Sequence, residues 1–588
     1  MRWVFASAPK PPGWLMVCIE KSGFCPEIQQ LLLQKSFRDE AEYEAFLSPS
    51  LKNIEPPEAI ENVSEVVRCL HDACVKHRRI MVVSDYDVDG VTSMALLHRF
   101  FHRFRYEFIS VFPNREKEGY GLTEAVTERV LSSYAPFDLL IATDCGTNSV
   151  EAVQRLRDAG VEVLIVDHHQ RSRDTLPNAV IVNPHLNEAL HSQSALGLCT
   201  AGLIFKCLHA WLKILRSENV RGAQGLRLRS FLDLVSLATV ADLVPLEGDN
   251  RLLVRFGLRE LQHSQSVGLR VLSEACGCDP AYPPTTEDIA FKLAPHINVG
   301  GRLESAELPF ELLTSDDEAR CCLLARQLAL KNAERQETER RIAAEAEVFI
   351  NERPHQRAYV LYQPHWHVGV VGIVAGRLTR KYYCPVFVLG QQNGFAKGSG
   401  RSIEEVNLTE LFSEAQPLLR HWGGHPAAAG LEVEIENILP LEARLNEILL
   451  QKFQDDWPQP MLSIASVLSE TSLTEDFLAE LEYLAPFGQG NEMPIFAIKD
   501  VVLTEPAERF GKHNAHLRLT LNGHRAVGWG MGDARIPQDK PLDFAVQLGW
   551  SCWNGRRTLQ VQVVDWRVLR RERRVERKSI TIGIGIRM

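Results

Sequence analysis

An apolar run that ends in alternating acids constrains this chain more than any other feature. Ile80-Met81-Val82-Val83 reads as a buried strand, and Ser84-Asp85-Tyr86-Asp87-Val88-Asp89-Gly90 follows directly. In extended chain, side chains two apart share a face. The spacing therefore predicts that Asp85, Asp87 and Asp89 converge where the strand ends. Three carboxylates that close repel one another unless something positive lies between them. A divalent cation that prefers hard oxygen ligands, Mg²⁺ or Mn²⁺, fits that demand. A solvated acidic turn fits the same Ser84–Gly90 stretch, and only the rest of the chain separates the two.

From about residue 56 the chain alternates strand and helix. Val91 to Phe104 reads as a helix, and Phe108-Ile109-Ser110-Val111-Phe112 as a strand closed by Pro113-Asn114. Leu139-Leu140-Ile141-Ala142 and Val161 to Val166 read as two more strands. Continuous β-branched runs with helices between them predict a parallel sheet covered on both faces. Such sheets place ligands beyond the carboxyl ends of their strands. Those ends carry Asp85, Asp87 and Asp89, then Asp144, then Asp167-His168-His169. A helical stretch from Asp233 adds Asp242 just before Leu243-Val244-Pro245. A single aspartate at a strand end is usually a helix cap, but caps do not explain so many acids with two imidazoles. Excess carboxylate, one or two histidines and no thiolate suit two Mn²⁺ or Mg²⁺ ions better than structural zinc. Two such ions serve in-line displacement at phosphorus, so the ligand types predict phosphoester hydrolysis.

Composition narrows the setting. At 588 residues, and about 150 residues per domain, three or four domains are expected. Lys and Arg total 65 against 75 acids, a net charge of −10. Any polyanion must therefore meet a local basic patch. The 13 cysteines are scattered, as reduced cytosolic thiols are. No apolar run is long enough to span a bilayer, and Lys10-Pro11-Pro12-Gly13 breaks the opening Met1-Arg2-Trp3-Val4-Phe5 too early for a secretory leader. A soluble cytoplasmic protein is expected, with no membrane partner.

At Asp167-His168-His169, with Asp85-Tyr86-Asp87-Val88-Asp89-Gly90 before it, the chain resembles the DHH phosphoesterase superfamily. Further motifs are similar to its RecJ family of single-strand-specific exonucleases. They are Asn114-Arg115 with Glu118 to Leu122, Asn183-Pro184-His185, Leu234 to Pro245, and Pro295 to Arg302. Trp366 to Arg377, Gly398 to Ser402, Gly423 to Pro426 and Pro486 to Asn491 follow in the family's order. The resemblance implies that Asp87, Asp89, Asp144, His168 and Asp242 are metal ligands, with Asp85 a ligand or an acid close by. It gives His169 a phosphate-facing or acid–base role. It implies that Arg302, Ser399 and Arg401 grip a 5′-terminal phosphate, within a substrate-binding set that also holds Arg115, Tyr120, Asn298, Arg377, Ser402 and His425. Departures are small: Ser84 stands where glycine is frequent, Met94 where a small residue is common, and Val299-Gly300 precedes Gly301-Arg302.

The second half reads as three pieces. Residues 315–350 are charged at helical spacing and predict an exposed spacer helix. Residues 351–449 hold two glycine clusters. Gly398-Ser399-Gly400-Arg401-Ser402 offers backbone amides, hydroxyls and a guanidinium to a phosphate. From 450, short strands at Phe496–Ile498, Val501–Leu503, Leu517–Leu521, Ala526–Trp529, Phe544–Leu548 and Leu559–Val563, with a hairpin signal at Asn522-Gly523, predict a small β-barrel of the OB type. Trp529, Trp550, Trp553, Lys512, His513, Arg518 and Arg525 are its candidate strand-binding residues. The tail from Arg567 to Lys578 is locally basic.

The expected fold is α/β. An N-terminal cover at 1–55 packs on a parallel-sheet DHH domain at 56–314, and a linker helix at 315–350 follows. A DHHA1-type α/β lobe at 351–449, an OB-like barrel at 450–570 and a basic tail at 571–588 complete it. The expected activity is 5′→3′ hydrolysis of single-stranded DNA with two Mn²⁺ or Mg²⁺ ions, releasing 5′-mononucleotides in recombination and repair. A helicase and a single-strand-binding protein are its expected partners. The alternatives are a phosphodiesterase for short or cyclic oligonucleotides and a non-catalytic DNA-binding scaffold.

Overall fold

The structure is a computed structural model. It describes residues 1–568 apart from 7–9, 116, 304, 554 and 555, with the backbone alone at 302, 303, 470 and 553. The side chains of Arg302 and Trp553 and all of the basic tail from 571 thus lie outside the described residues. The chain forms two compact units: a larger one of residues 43–460 and 484–492, and a smaller one of 1–42, 461–483 and 493–588.

The first strand, β1 (Arg2–Phe5), belongs to the smaller unit. The larger unit opens on five parallel strands: β2 (Ile80–Ser84), β3 (Ile109–Val111), β4 (Leu139–Thr143), β5 (Glu162–Val166) and β6 (Val180–Val182). Their order is β3-β2-β4-β5-β6. Each central strand feeds two cores. Val82, Ile141 and Leu164 pack with the helices Val63–Val75, Val88–Arg103 and Thr200–Ser217 on one face. Val83, Ala142 and Ile165 pack with Glu124–Tyr134 and Val150–Asp158 on the other. A sheet covered on both sides needs unbroken apolar strands, which is why β2 and β4 read as runs rather than alternations. The three-residue β6 has too short an apolar run to be read from sequence.

One expectation about the acids is corrected here. The strand stops at Ser84, and the helix begins at Val88 with Asp87 as its N-cap and Asp89 in its first turn. Convergence of the acids therefore comes from a sharp strand-to-helix turn, not from alternation along one strand. Gly90 permits the turn, since a Cβ there would lie 2.2 Å from the Asp85 carbonyl oxygen.

A 35-residue helix, Glu318–Glu352, leads to a second sheet. It comprises β7 (Tyr359–Tyr362), β8 (Val386–Gln392), β9 (Phe395–Arg401), β10 (His421–His425) and β11 (Ala428–Val433), in the order β10-β11-β9-β8-β7. The glycine-rich stretch at 398–401 is the central strand of this sheet, paired on both sides. Its backbone amides thus serve the ladders and do not form the expected phosphate loop. The glycines are needed for packing: a Cβ at Gly400 would meet the Phe387 ring at 2.3 Å.

In the smaller unit, β12 (Met461–Ile464) pairs in parallel with β1. Residues 1–42 thus fold with the C-terminal strands. The remaining strands are β13 (Ser466–Val467), β14 (Phe496–Val501), β15 (Glu508–Phe510), β16 (His516–Leu521), β17 (His524–Gly528), β18 (Leu542–Trp553) and β19 (Arg556–Val568). They form one sheet in the order β13-β14-β18-β19-β17-β16-β15. The edge strands β13 and β15 do not pair with each other among the described residues. Asn522 and Gly523 both take positive φ, as a two-residue hairpin between β16 and β17 requires. No helix among the described residues is long and apolar enough to cross a membrane.

Candidate metal centre and nucleic-acid cleft

The parallel ladder runs one residue past each strand and fixes the acids by backbone bonds. The Asp85 amide donates to Thr143 O, Asp144 to Val166 O, and Asp167 to Val182 O. Asp144 takes φ +60°, unusual for a non-glycine residue and frequent where function holds a strained backbone. Asp242 caps the carboxyl end of the helix Leu232–Ala241. From these four places the side chains meet. His168 Nε2 lies 3.5 Å from Asp144 Oδ1, 3.5 Å from Asp242 Oδ2 and 3.9 Å from Asp89 Oδ2. Asp85, Asp87 and Asp144 form an adjoining group whose ligand atoms lie within 4.8 Å of one another, as do those of Asp89, His168 and Asp242.

These residues fit a pair of divalent ions. Both oxygens of Asp85 and Oδ2 of Asp242 are buried with no hydrogen-bond donor. Burial pushes all five acids above the ordinary carboxylate range, and repulsion by neighbouring acids adds to it at Asp85, Asp87, Asp144 and Asp242, the last reaching about 8. Only a bound cation relieves such a cluster while keeping it ionised. The nearby thiols of Cys145 and Cys199 are pushed well up, chiefly by burial, so the donors are oxygen and imidazole nitrogen. That set is hard and suits Mn²⁺ or Mg²⁺.

The two adjacent histidines are held in opposite states. Burial, then the charge of His169, lowers His168 to about 4, leaving the neutral imidazole that a metal ligand must be. Burial also works against charge on His169, but Asp167 outweighs it and raises His169 to about 9. Asp167 Oδ1 lies 2.7 Å from His169 Nδ1 and also accepts the amides of His168 and His169, while Oδ2 accepts the Thr147 amide. Asp167 thus orients both histidines. His169 Nε2 lies 2.7 Å from the Tyr120 hydroxyl, which donates to the Asp144 carbonyl. Sequence reasoning passed over Asp167 in this role, and also Thr200 and Thr147. Thr200 bonds Asp89 across 111 residues, a separation that no local pattern reveals.

The cleft beside His169 is a cavity of about 480 Å³, lined by Tyr120, Asn148, Asp167, Arg173, Gly424 and His425 among others. It brings the parallel-sheet part and β10 to one place. Arg401 donates to Ser399 Oγ and to the Gly400 carbonyl, and has no carboxylate partner among the described residues. Burial, then repulsion by Arg115, lowers its pKa. Arg115 itself stacks over Tyr86 at 5.6 Å. Two guanidiniums near each other favour an anion between them. The Ser402 hydroxyl is committed to Val406 O at 2.6 Å and has no proton left for a phosphate. Arg377 is exposed on the helix Val371–Tyr382, and Asn298 is half-buried on Ala294–Leu303. That helix meets the acid loop where Gly301 approaches Tyr86 O.

In the smaller unit Trp529 is 50% exposed and stands edge-on to Phe510 and His516. Arg518 lies 4.8 Å from the Phe510 centroid. Trp550 is different, because it stacks on Arg557 at 4.4 Å and donates to Glu482.

A doubly covered parallel sheet that focuses aspartates and paired histidines at its carboxyl edge defines the DHH class. The "DHH family, N-terminal domain" model matches residues 79–239, the "DHHA1 domain" model 355–451 and the "RecJ OB domain" model 464–565. The chain is 32% identical to the single-stranded-DNA-specific exonuclease RecJ of Thermus thermophilus over 576 residues, 96% of this chain and 79% of that one. Its identity to RecJ of Bacillus subtilis is 30% over 555 residues, 93% and 68% of the two chains. Among solved structures, T. thermophilus RecJ in complex with Mn²⁺ matches with a TM-score of 0.80 and 30% identity, covering 97% of this chain and 80% of that one. The Mg²⁺ complex gives 0.74, at 30% identity and covering 97% and 79%. The chain belongs to the RecJ family of single-stranded-DNA-specific exonucleases.

Proposed function

We propose that this chain is a 5′→3′ exonuclease that hydrolyses single-stranded DNA to 5′-mononucleotides, with two Mn²⁺ or Mg²⁺ ions held by Asp85, Asp87, Asp89, Asp144, His168 and Asp242. The observation that carries it is the pair of adjoining ligand groups, Asp85-Asp87-Asp144 and Asp89-His168-Asp242, which meet where Asp144 Oδ1 lies 3.5 Å from His168 Nε2. When bound, such ions supply an activated water and neutralise charge at the displaced phosphodiester. The chain's own residues do the rest. Asp167 keeps His169 protonated, and the imidazolium faces the cleft beside Tyr120, where it stabilises phosphate charge or donates a proton to the leaving oxygen. Arg401, with Ser399 and Arg115, grips the 5′-terminal phosphate, and Arg302, Arg377, Asn298 and His425 complete the substrate set. A gripped 5′ end places the next phosphodiester over the acids, which gives the enzyme its direction. Trp529, Phe510 and His516 offer stacking faces to bases further along a strand.

The supporting context is cytoplasmic DNA recombination and repair, with a helicase to open duplexes and a single-strand-binding protein to present strands. A scaffold has no need to keep a full ligand set, and an enzyme for dinucleotides has no need of an OB domain. Asp144→Ala tests the reading: it is expected to abolish hydrolysis while the protein still binds single-stranded DNA in a gel-shift assay. Full activity would remove the metal assignment.

A further inference from the structure

Asp144 belongs to the group with Asp85 and Asp87, and its Oδ1 also lies 3.5 Å from Nε2 of His168, a member of the other group. Its orientation therefore governs both halves of the centre, yet its neighbours push it away. Asp85 and Asp87, whose carboxylate oxygens lie within 4.8 Å of its own, repel it. A hydroxyl opposes that repulsion. Thr200 Oγ1 donates to Asp144 Oδ1 at 3.0 Å, the same oxygen that lies 3.5 Å from His168 Nε2. Thr200 is fully buried and begins an 18-residue helix. Its amide donates at the same time to Asp89 Oδ2 at 2.7 Å, and the next amide, of Ala201, to Asp89 Oδ1 at 2.8 Å. The helix end thus brings partial positive charge to the acids, and Thr200 ties the carboxylate of Asp89, at a helix start, and that of Asp144, past a strand end, to one point.

We propose that Thr200 is a positioning residue that sets the carboxylate at which the two metal sites meet and so tunes the affinity of the pair of ions. The proposal rests on the two-ion reading above. Its chemistry is separable from folding because the amide bond to Asp89 survives any side-chain change. Valine matches threonine in shape and lacks only the donor, so Thr200→Val removes the Asp144 hydrogen bond alone. Serine keeps the hydroxyl. Partners that orient metal ligands typically contribute roughly 10–100-fold to metal affinity.

The test titrates the full chain with Mn²⁺ in the absence of DNA, following free Mn²⁺ by electron paramagnetic resonance. Thermal melts in EDTA run alongside. Wild type is expected to take up two ions, T200S to match it, and T200V to bind at least one ion more weakly by roughly 10-fold or more. If T200V does not fold, Thr200→Ala relieves any crowding and is expected to show the same loss. T200V with wild-type Mn²⁺ affinity would overturn the proposal, even if its EDTA melt were lowered. So would T200S losing as much as T200V. A wild type that takes up no Mn²⁺ would instead refute the two-ion reading on which the proposal stands.

Discussion

At the scale of single residues, the centre is a set of buried charges that the fold tolerates only because something else neutralises them. Asp85 is the extreme case, with both oxygens buried and no donor to either. An unpaired buried carboxylate destabilises the metal-free fold, so Asp85→Asn, which keeps the shape and removes the charge, should melt higher than wild type in EDTA. Mn²⁺ should then stabilise it less than it stabilises wild type. A lower melt in EDTA would mean that Asp85 is paired in solution. Asp85, Asp87, Asp89, Asp144, His168 and Asp242 could all be singled out in the sequence, because acids and an imidazole directly after an apolar strand or helix are a local pattern. Asp167 was given no role from the sequence, and its place as an orienting group depends on the donors that surround it. Ser402 looked like a phosphate ligand, but its proton is spent on Val406. Such allegiances are set by tertiary packing, which one residue's neighbours in sequence do not record.

Among the elements, glycines decide how closely parts approach. The turn from β2 into the helix Val88–Arg103 leaves no room for a Cβ at Gly90. Gly90→Ala must move the Asp85 carbonyl or the helix start, which is expected to destabilise by about 1–3 kcal/mol and to weaken Mn²⁺ binding with it. Thermal melts and Mn²⁺ titration check both, and an unperturbed variant would mean that the turn relaxes freely. Parallel strands were readable because burial on both faces makes them continuous apolar runs. The Gly398–Arg401 stretch misled for a physical reason, because glycine in a central strand reflects close packing on Phe387, whereas the same residues in sequence suggest a loop. In the smaller unit the exposed faces of Trp529 and its neighbours suit stacking. Trp529→Ala should weaken binding of long single strands by roughly 1–3 kcal/mol and leave cleavage of very short ones near wild type. Equal losses on both would make Trp529 structural. Trp550, equally visible in the sequence, is held by Glu482 and Arg557 and is not expected to behave this way.

Across the whole molecule, chain order and spatial order part company. Residues 1–42 join the C-terminal strands through β1 and β12. Residues 484–492, which stand between strands of the smaller unit in sequence, belong to the larger one. There the Gln489 carbonyl accepts the Leu246 amide, four residues past Asp242, and Gly490 packs on Pro245. Neither exchange was legible, since long-range pairing leaves no period in the sequence. What the sequence did carry was the order of the parts and the chemistry of the centre. Both converge on metal-dependent removal of nucleotides from the 5′ end of a single strand. The most direct test is digestion of a single-stranded oligonucleotide labelled separately at each end, with Mn²⁺, with Mg²⁺ and with EDTA. Metal-dependent release of a mononucleotide from the 5′ end first, and none in EDTA, is the expected result. No cleavage with either metal would contradict the catalytic reading, and loss from the 3′ end first would contradict the placement of the phosphate grip at Arg401.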